Sequence, residues 1–235
     1  MPRRSSQVPR HVVVAGATGL VGGELVRVLD TRADVRVTAL VRSLAPGRFP
    51  PRVSEQIFDF ESEASYRWLI ERGFDVLFCC LGTTRAKAGT DEAFRRVDRD
   101  YPLSLLGAAQ RLARPPVFGL VSSVGAKTGG GLYLGTKAEV EAAVAASVLP
   151  YVIVRPSLLR GARSERRVGE RVAVAVARPL GALAGFWGAA ARYAPILASD
   201  VAMALGRTAL DVDDPRVVLE GTELRCAAHP AGPGG

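Results

Sequence analysis

Short apolar runs rich in valine alternate with longer segments of helical spacing over the first two thirds of the chain. Most of the runs lack a clean two-residue alternation, which is typical of strands covered on both faces. The predicted strands are His11 to Ala15, Val35 to Val41, Gln56 to Phe58, Asp75 to Cys80, Val117 to Ser122 and Tyr151 to Val154. After the first run, one helix face is predicted to carry Leu20, Val21, Leu25, Val28 and Leu29.

Further helices are predicted around Tyr66 to Ile70, over residues 91–112 as one extended helix, and over residues 132–146. Strands that alternate with helices in this way predict right-handed crossovers and an α/β fold, because each parallel strand pair needs a crossing connection. We therefore predict a doubly wound parallel sheet, the Rossmann fold, with no linker or internal repeat that divides it.

The chain ends are predicted to stay outside this single domain, which covers residues 11–225. Residues 1–10 form a disordered basic tail in this interpretation, and residues 226–235 form a frayed tail. By analogy with other doubly wound enzymes, residues 157–220 are expected to form a small C-terminal substrate lobe. A helix from Ser199-Asp200 through Leu210 and a strand over residues 216–220 are predicted within it.

A glycine-rich turn joins the first strand to the first helix. Its residues are Gly16, Ala17, Thr18, Gly19, Leu20, Val21 and Gly22. Gly16 permits the tight turn, Gly19 lets the backbone approach a pyrophosphate, and Gly22 lets helix and strand pack closely. The amides at the helix N-terminus supply donors and positive potential. The position between strand and amphipathic helix predicts a dinucleotide site, and so an NAD(P)-binding domain.

The end of the second strand bears on the choice of cofactor. About 20 residues beyond Gly22, where a site for NAD carries an acidic residue for the ribose hydroxyls, the chain has Arg42. An arginine can pair with a 2′-phosphate, so NADP(H) is favoured over NAD. Asp59 and Phe60, after the third run, are candidates for the adenine end of the site. For Asp59, a helix-capping role is an alternative.

A phenol and an ammonium are four residues apart on the helix predicted over residues 132–146. They belong to Tyr133 and Lys137, and an i, i+4 pair shares one helix face. A phenol with the ordinary pKa near 10 suits acid-base work at neutral pH poorly, and a nearby cation stabilises the phenolate. The same ammonium can hold ribose hydroxyls. Ser122 and Ser123, which close the fifth strand, can donate a hydrogen bond to a carbonyl oxygen as hydride reaches its carbon.

The formal net charge of +8 raises nucleic acid or an anionic surface as a partner. The arginines between residues 160 and 178 are interrupted by Glu165 and Glu170 and have no aromatic stacking platform, so no specific nucleic-acid partner is expected. Only three of the 31 basic residues are lysines, and one of them is Lys137. A compact ammonium differs chemically from a guanidinium, which is consistent with a requirement for lysine there.

The three cysteines are Cys79, Cys80 and Cys226, and the two histidines are His11 and His229. Their spacing fits neither a disulfide framework nor a zinc site, so no metal is predicted. This cysteine usage indicates a reducing compartment. The apolar run after the basic start is too short for a signal peptide, and the longest apolar stretch, residues 179–191, falls short of the roughly 18 to 20 residues that span a bilayer. We therefore expect a cytoplasmic location and no membrane span.

These motifs and the order of strands resemble the short-chain dehydrogenase/reductases, in particular the small atypical branch with G-x-x-G-x-x-G turns. Residues 78–85 (FCCLGTTR), 87–89 (KAG) and 97–101 (VDRDY) are similar to the Tat-interacting oxidoreductase family and its bacterial relatives. The resemblance covers about residues 11–160 and is looser beyond them.

The resemblance implies an NADPH-binding domain in which Tyr133 donates or accepts the proton and Lys137 is its partner. It also implies that Leu81 and Gly82, with Thr83 beside them, border the adenosine ribose. Arg155 and Pro156 are implied to lie near the nicotinamide.

Two departures from the better-studied dehydrogenases follow from the same resemblance. The interval from Ser123 to Tyr133 is short, at 10 residues, so either Ser122 or Ser123 can face the substrate. The active-site asparagine common in that branch is absent, with Asp98 near its expected place, so any proton relay must differ.

The favoured hypothesis is an NADPH-dependent oxidoreductase that reduces a carbonyl, or oxidises the alcohol, at a Ser-Tyr-Lys site. The alternative is a non-catalytic protein that senses NADP(H) or binds a protein partner. A sugar-nucleotide epimerase is disfavoured because those enzymes usually carry a larger C-terminal domain. The expected partner is a small carbonyl or alcohol substrate, and a protein partner or homo-oligomer stays open.

Overall fold

The computed structural model describes residues 8–160 and 192–230. Of the two predicted tails, residues 1–7 and 231–235 lie outside the described residues. The arginine-rich stretch from residue 161 to 178 and the apolar stretch 179–191 also lie outside them.

Within residues 8–160 and 192–230, seven strands form one parallel sheet in the order β3-β2-β1-β4-β5-β6-β9. Their bounds are β1 Arg10–Ala15, β2 Val35–Val41, β3 Ser54–Ile57, β4 Val76–Cys79, β5 Val117–Val121, β6 Tyr151–Arg155 and β9 Arg216–Glu220. A separate pair is formed by β7 Leu159–Arg160 and β8 Ile196–Leu197. The order reverses between β1 and β4, as in a doubly wound sheet, and confirms the predicted Rossmann fold.

Helices cover both faces of this sheet. Their bounds are α1 Leu20–Asp30, α2 Glu63–Arg72, α3 Arg85–Ala88, α4 Asp91–Arg95, α5 Tyr101–Gln110, α6 Gly131–Ala146, α7 Ala198–Asp211 and α8 Gly221–Ala228. Within the described ranges, no helix is long and apolar enough to cross a bilayer.

The strands of the sheet bury side chains on both faces, which explains their unbroken apolar runs. In β1, Val12 and Val14 pack into one core, with α1 and α7, while Val13 and Ala15 pack into the other, with α2, α5 and α6. All four side chains are fully buried. A strand in this position has no solvated face, so its sequence shows no polar alternation.

The helix predicted over residues 91–112 is interrupted. A π-helical turn, Arg96–Asp100, separates α4 from α5. Pro102 stands near the start of α5 and has no N–H to donate to the carbonyl four residues earlier, that of Asp98. The interruption turns Asp98 into the protein, where it is 1% exposed.

The described part of the predicted substrate lobe, residues 157–160 and 192–220, is closely joined to the domain. Helix α7 packs against α1, and strand β9 extends the main sheet beside β6. The segment 226–228, predicted as part of a frayed tail, instead ends helix α8, where Ala228 is fully buried. The apolar side chains of this segment pack on α7. The local sequence pattern does not predict that contact.

Candidate active site

The candidate site lies at the carboxyl ends of β1, β4 and β5, where the strand order reverses. The loops after parallel strands meet at this edge, and ligands of doubly wound folds bind in the crevice there. The glycine-rich turn follows β1, residues 80–84 follow β4, and Ser122 and Ser123 follow β5.

The glycine-rich turn is shaped by two close approaches. Gly16 has a φ of +78°, and a Cβ there would overlap the Cys80 carbonyl oxygen of the next loop. A Cβ at Gly22 would overlap the Gly16 carbonyl oxygen. The turn is closed by the Gly19 N–H, which donates to the Gly16 oxygen at 2.9 Å. Larger residues at Gly16 or Gly22 would therefore push the turn open.

Helix α1 begins directly behind this turn without a side-chain cap. Gly19 is its N-cap, and its first turn has no acidic residue. The N–H groups in the first turn of a helix have no partner within the helix, so these amides can bind an anion. Thr18 and Gly19 are exposed, Leu20 is half-buried, and Ala17 and Val21 are buried beneath the turn.

The loop after β4 contacts the π-helical turn and α6. The Thr83 N–H donates to Asp98 Oδ2 at 2.7 Å. A Cβ at Gly82 would lie 3.6 Å from Asp98 Oδ1 and 3.9 Å from Lys137 Nζ. Leu81, Gly82 and Thr83 thus line the side of the crevice at which the Lys137 ammonium ends.

Lys137 is buried and ion-paired. Its Nζ lies 2.9 Å from Asp98 Oδ1, and the two side chains are 8% and 1% exposed. Burial alone would lower the pKa of Lys137, but the Asp98 carboxylate and, to a lesser extent, the Tyr133 phenol raise it above its ordinary value. The lysine is therefore a charged ammonium at neutral pH.

Tyr133 lies one helical turn before Lys137 and is far more exposed. Its exposed fraction is 46%, and its ring lies 6.1 Å, centroid to centroid, from the buried ring of Phe94. Among the described residues, its hydroxyl has no hydrogen-bond partner, so this hydroxyl is accessible to a ligand in the crevice.

The two serines after β5 differ in exposure. Ser122 is 4% exposed, and its hydroxyl has no hydrogen-bond partner among the described groups. Ser123 is half-buried, and its hydroxyl has only a long hydrogen bond, 3.4 Å, to the Val124 carbonyl oxygen. Of the two hydroxyls, that of Ser123 is the one solvent reaches.

The residues expected at the adenine end of the site are exposed or half-buried. Arg42 follows β2, is exposed, and has no ion pair within the described chain. Asp59 Oδ1 accepts a hydrogen bond from the Glu61 N–H at 2.9 Å in the turn before α2. Phe60 stacks on Tyr101 at 5.0 Å. Asp59 therefore stabilises the turn before α2, which is similar to the helix-capping role considered as an alternative.

Arg155, expected near the nicotinamide, is held by carboxylates. Its Nε lies 3.0 Å from Glu141 Oε1, and its Nη1 lies 3.3 Å from Glu220 Oε2. Glu220 also pairs with Arg192. Pro156 is buried, and its carbonyl oxygen accepts a hydrogen bond from the Val124 N–H at 3.0 Å. These contacts tie β6 to α6, β9 and the loop after β5.

Asp98 is the partner whose contact the sequence analysis did not anticipate. The sequence places it near an expected asparagine but does not show a direct ion pair with Lys137. One local signal exists, since a proline at position 102 within a helical pattern marks a break one turn earlier. The side chain that such a break turns inward still depends on the three-dimensional packing.

Comparison with known proteins gives a consistent result. Residues 16–174 match a family model described as NAD(P)H-binding. HTATIP2 of Rattus norvegicus is 38% identical over 169 residues, covering 70% of this chain and 69% of that protein. The mitochondrial protein FMP52-1 of Scheffersomyces stipitis is 34% identical over 158 residues, covering 64% and 67% of the two chains.

Solved structures resemble the fold at lower identity. ADP-L-glycero-D-manno-heptose-6-epimerase of Helicobacter pylori superposes with a TM-score of 0.68 over 95% of this chain and 83% of that one, at 17% identity. A likeness at this identity supports the fold alone.

The expected cytoplasmic location is wrong on this comparison. Three of the matched fungal relatives are named as mitochondrial proteins, which points away from a purely cytoplasmic location. Cysteine usage reports on the redox state of a compartment and does not distinguish one reducing compartment from another.

Proposed function

The chain belongs to the NAD(P)H-binding family and is a relative of HTATIP2, and from this premise we propose that it is an NADPH-dependent oxidoreductase. The family expected from the motifs is thereby confirmed. We propose further that the reaction is the reduction of a carbonyl or, in reverse, the oxidation of the alcohol. The observation that carries this proposal is a charged, buried Lys137 one helical turn from the accessible Tyr133 hydroxyl, beside the loop of Gly82.

The residues present fit a dinucleotide phosphate. Behind the crowded turn at Gly16 and Gly22, the first turn of α1 has backbone N–H groups and no acidic residue of its own, which suits a pyrophosphate. Among the described residues Arg42 has no competing carboxylate partner, which makes its guanidinium a candidate for a 2′-phosphate. Lys137, next to Gly82, is placed to hold ribose hydroxyls. When bound, the cofactor supplies or accepts a hydride at its nicotinamide.

The protein's own contribution is proton transfer and charge stabilisation. Tyr133 gives its hydroxyl proton to the carbonyl oxygen as that oxygen gains negative charge, and takes a proton back from solvent. The Lys137 ammonium stabilises the phenolate left behind. Ser123 donates a hydrogen bond to the same oxygen, a role that its exposure supports over that of Ser122. In the reverse direction the tyrosine accepts the alcohol proton.

The test is the replacement of the phenol by a phenyl group. In Tyr133→Phe, we expect NADPH oxidation over a panel of carbonyl compounds to fall at least about 100-fold, the lower range for loss of a general acid. NADPH affinity, measured by fluorescence titration, should stay near that of the unaltered protein. Tyr151→Phe removes a hydroxyl at the opposite end of the sheet and is the matched control.

Two results would contradict the proposal. Turnover that persists in Tyr133→Phe would remove the phenol from the reaction. Tight NADPH binding by the unaltered protein, with no oxidation by any carbonyl in a broad panel, would instead favour the sensor.

A further inference from the structure

The Asp98 carboxylate is a buried charge that the proposed reaction does not use directly. We propose that Asp98 is a positioning residue, whose carboxylate holds the Lys137 ammonium charged and in place against the cofactor-lining loop of residues 81–83. The cofactor half of this inference rests on the proposed function, and the ion-pair half stands independently of it.

The two oxygens of Asp98 have different partners. Oδ1 lies 2.9 Å from Lys137 Nζ on α6, and Oδ2 accepts the Thr83 N–H at 2.7 Å from the loop after β4. One carboxylate therefore fixes the distance between the ammonium and the loop. The Thr83 contact is a hydrogen bond to a charged carboxylate, among the stronger ones in proteins, and the Lys137 contact is an ion pair.

The π-helical turn is what directs Asp98 inward. Its neighbours Arg99 and Asp100 are paired at the surface, with each other at 2.9 Å, and Arg99 also with Glu139 at 2.6 Å. Asp98 alone among these charged residues is buried. π-helical turns within helices are frequent at functional sites. The break before Pro102 therefore places one carboxylate in the site while leaving the other charges in solvent.

In the described part of the chain, three groups face the Lys137 ammonium from the surrounding elements. They are Asp98 on the π-helical turn, Tyr133 on its own helix and Cys79 at the end of β4. Burial raises the pKa of the Cys79 thiol to about 11, so this thiol is neutral up to pH 9.5. Without the Asp98 carboxylate, Tyr133 and Cys79 would be left to oppose the effect of burial on the pKa of Lys137, and burial disfavours the charged amine.

The pairing also leaves donors for a ligand. An ammonium has three N–H groups, and Asp98 is the one ion-pair partner of Lys137 among the described residues. In the proposed complex, the remaining donors serve a ribose hydroxyl and the Tyr133 phenolate. Asp98 thus acts through Lys137 and needs no contact with substrate or cofactor itself.

The first experiment measures NADPH dissociation constants between pH 7 and 9.5 for the unaltered protein, Asp98→Asn and Lys137→Met. The unaltered protein should bind nearly uniformly across this range. In Asp98→Asn, we expect the affinity to fall about tenfold or more as pH rises, and to approach that of Lys137→Met, because the unpaired buried amine loses its proton. Asp100→Asn removes a surface carboxylate two residues away and should behave like the unaltered protein.

The second experiment needs no cofactor. Thermal unfolding of Asp98→Asn should show a Tm lowered by roughly 6–12 °C at pH 7, where a charged lysine stays buried without a counter-ion. The deficit should shrink toward pH 9.5, since the destabilisation by an amine with a depressed folded-state pKa is largest below that pKa and declines as pH rises from it toward the unfolded-state pKa. The double variant Asp98→Asn with Lys137→Met should lose this pH dependence.

The outcomes separate the two proposals. An Asp98→Asn variant with the same pH profiles as Asp100→Asn, in affinity and in Tm, would overturn the role of Asp98. Failure of the unaltered protein to bind NADPH would contradict the proposed function, and the unfolding profiles would still decide whether Asp98 keeps Lys137 charged.

Discussion

Helix α6 buries two charged residues one turn apart, and they are paired in different ways. Lys137 and Glu141 are each 6% exposed. Lys137 meets a single carboxylate, Asp98, at 2.9 Å. Glu141 meets the fork of Arg155, which also reaches Glu220, so that the second pair belongs to a larger cluster.

The difference lies in how the carboxylates surround each cation. The guanidinium of Arg155 directs all three of its nitrogen atoms at Glu141 and Glu220, which lie on α6 and at the end of β9. The ammonium of Lys137 has one carboxylate contact, and it lies beside Gly82 in the loop after β4. From this comparison we propose that Arg155 mainly holds elements together and that Lys137 binds the cofactor.

The largest expected effect is on turnover, when the ammonium of Lys137 is replaced by a guanidinium. In Lys137→Arg, the charge is kept, but a planar fork replaces a compact ammonium in a buried space beside Gly82. We expect carbonyl-dependent NADPH oxidation to fall about 100-fold or more, as in the loss of a positioned acid-base group. Lys127→Arg, at an exposed loop position, is the matched control and should retain turnover. Equal turnover in both variants would contradict the proposed difference between the Lys137–Asp98 and Arg155–Glu141 pairs.

A smaller effect, on stability, is expected when Arg155 is replaced. Arg155→Met leaves Glu141 buried without its partner. We expect a loss of about 2–3 kcal/mol in the free energy of unfolding, at the low end for a broken buried pair because Arg155 is 25% exposed. For a chain of this length, the corresponding fall in Tm is roughly 5–10 °C.

NADPH affinity is the second readout for Arg155→Met. It should remain near that of the unaltered protein, measured at a temperature at which both proteins are folded. A large loss of affinity without a change in Tm would show that Arg155 binds the cofactor, as the family resemblance implies.

The smallest expected effect is on NADPH affinity, when Arg42 is replaced. Arg42 directly follows its strand, β2, whereas Arg155 ends β6, and Arg42 has no carboxylate partner in the described chain. In Arg42→Ala, we expect NADPH affinity to fall about tenfold, the value of one charge-assisted contact, and NADH affinity to stay constant. Fluorescence titration with both cofactors checks this, with Arg48→Ala as the control. An equal loss for both cofactors would place Arg42 away from the 2′-phosphate.

The parts of the fold that depend on neighbouring residues could be predicted from the sequence. The turn of Gly16 and Gly22 was recognisable because it needs glycines at fixed spacing between a strand and a helix, and the structure shows the crowding that explains them. The i, i+4 spacing of Tyr133 and Lys137 likewise follows from helix geometry alone. The roles of these residues toward a cofactor stay predictions.

The contacts that could not be predicted join residues far apart in the chain. Lys137 and Asp98 lie on different helices, and Arg155 meets Glu220, 65 residues later. No periodicity connects such positions. Residues 226–228 were missed for the same reason, since they end a helix, α8, that packs on α7.

Strand β9 is the last strand of the sheet along the chain, and it occupies an edge beside β6. Because synthesis proceeds from the N-terminus, every residue of the candidate site leaves the ribosome before Glu220 does. Until β9 emerges, β6 is an open edge that can pair with another chain, and Arg155 has one carboxylate partner in place of two. Closure of this edge of the sheet therefore depends on a strand that is made late in synthesis.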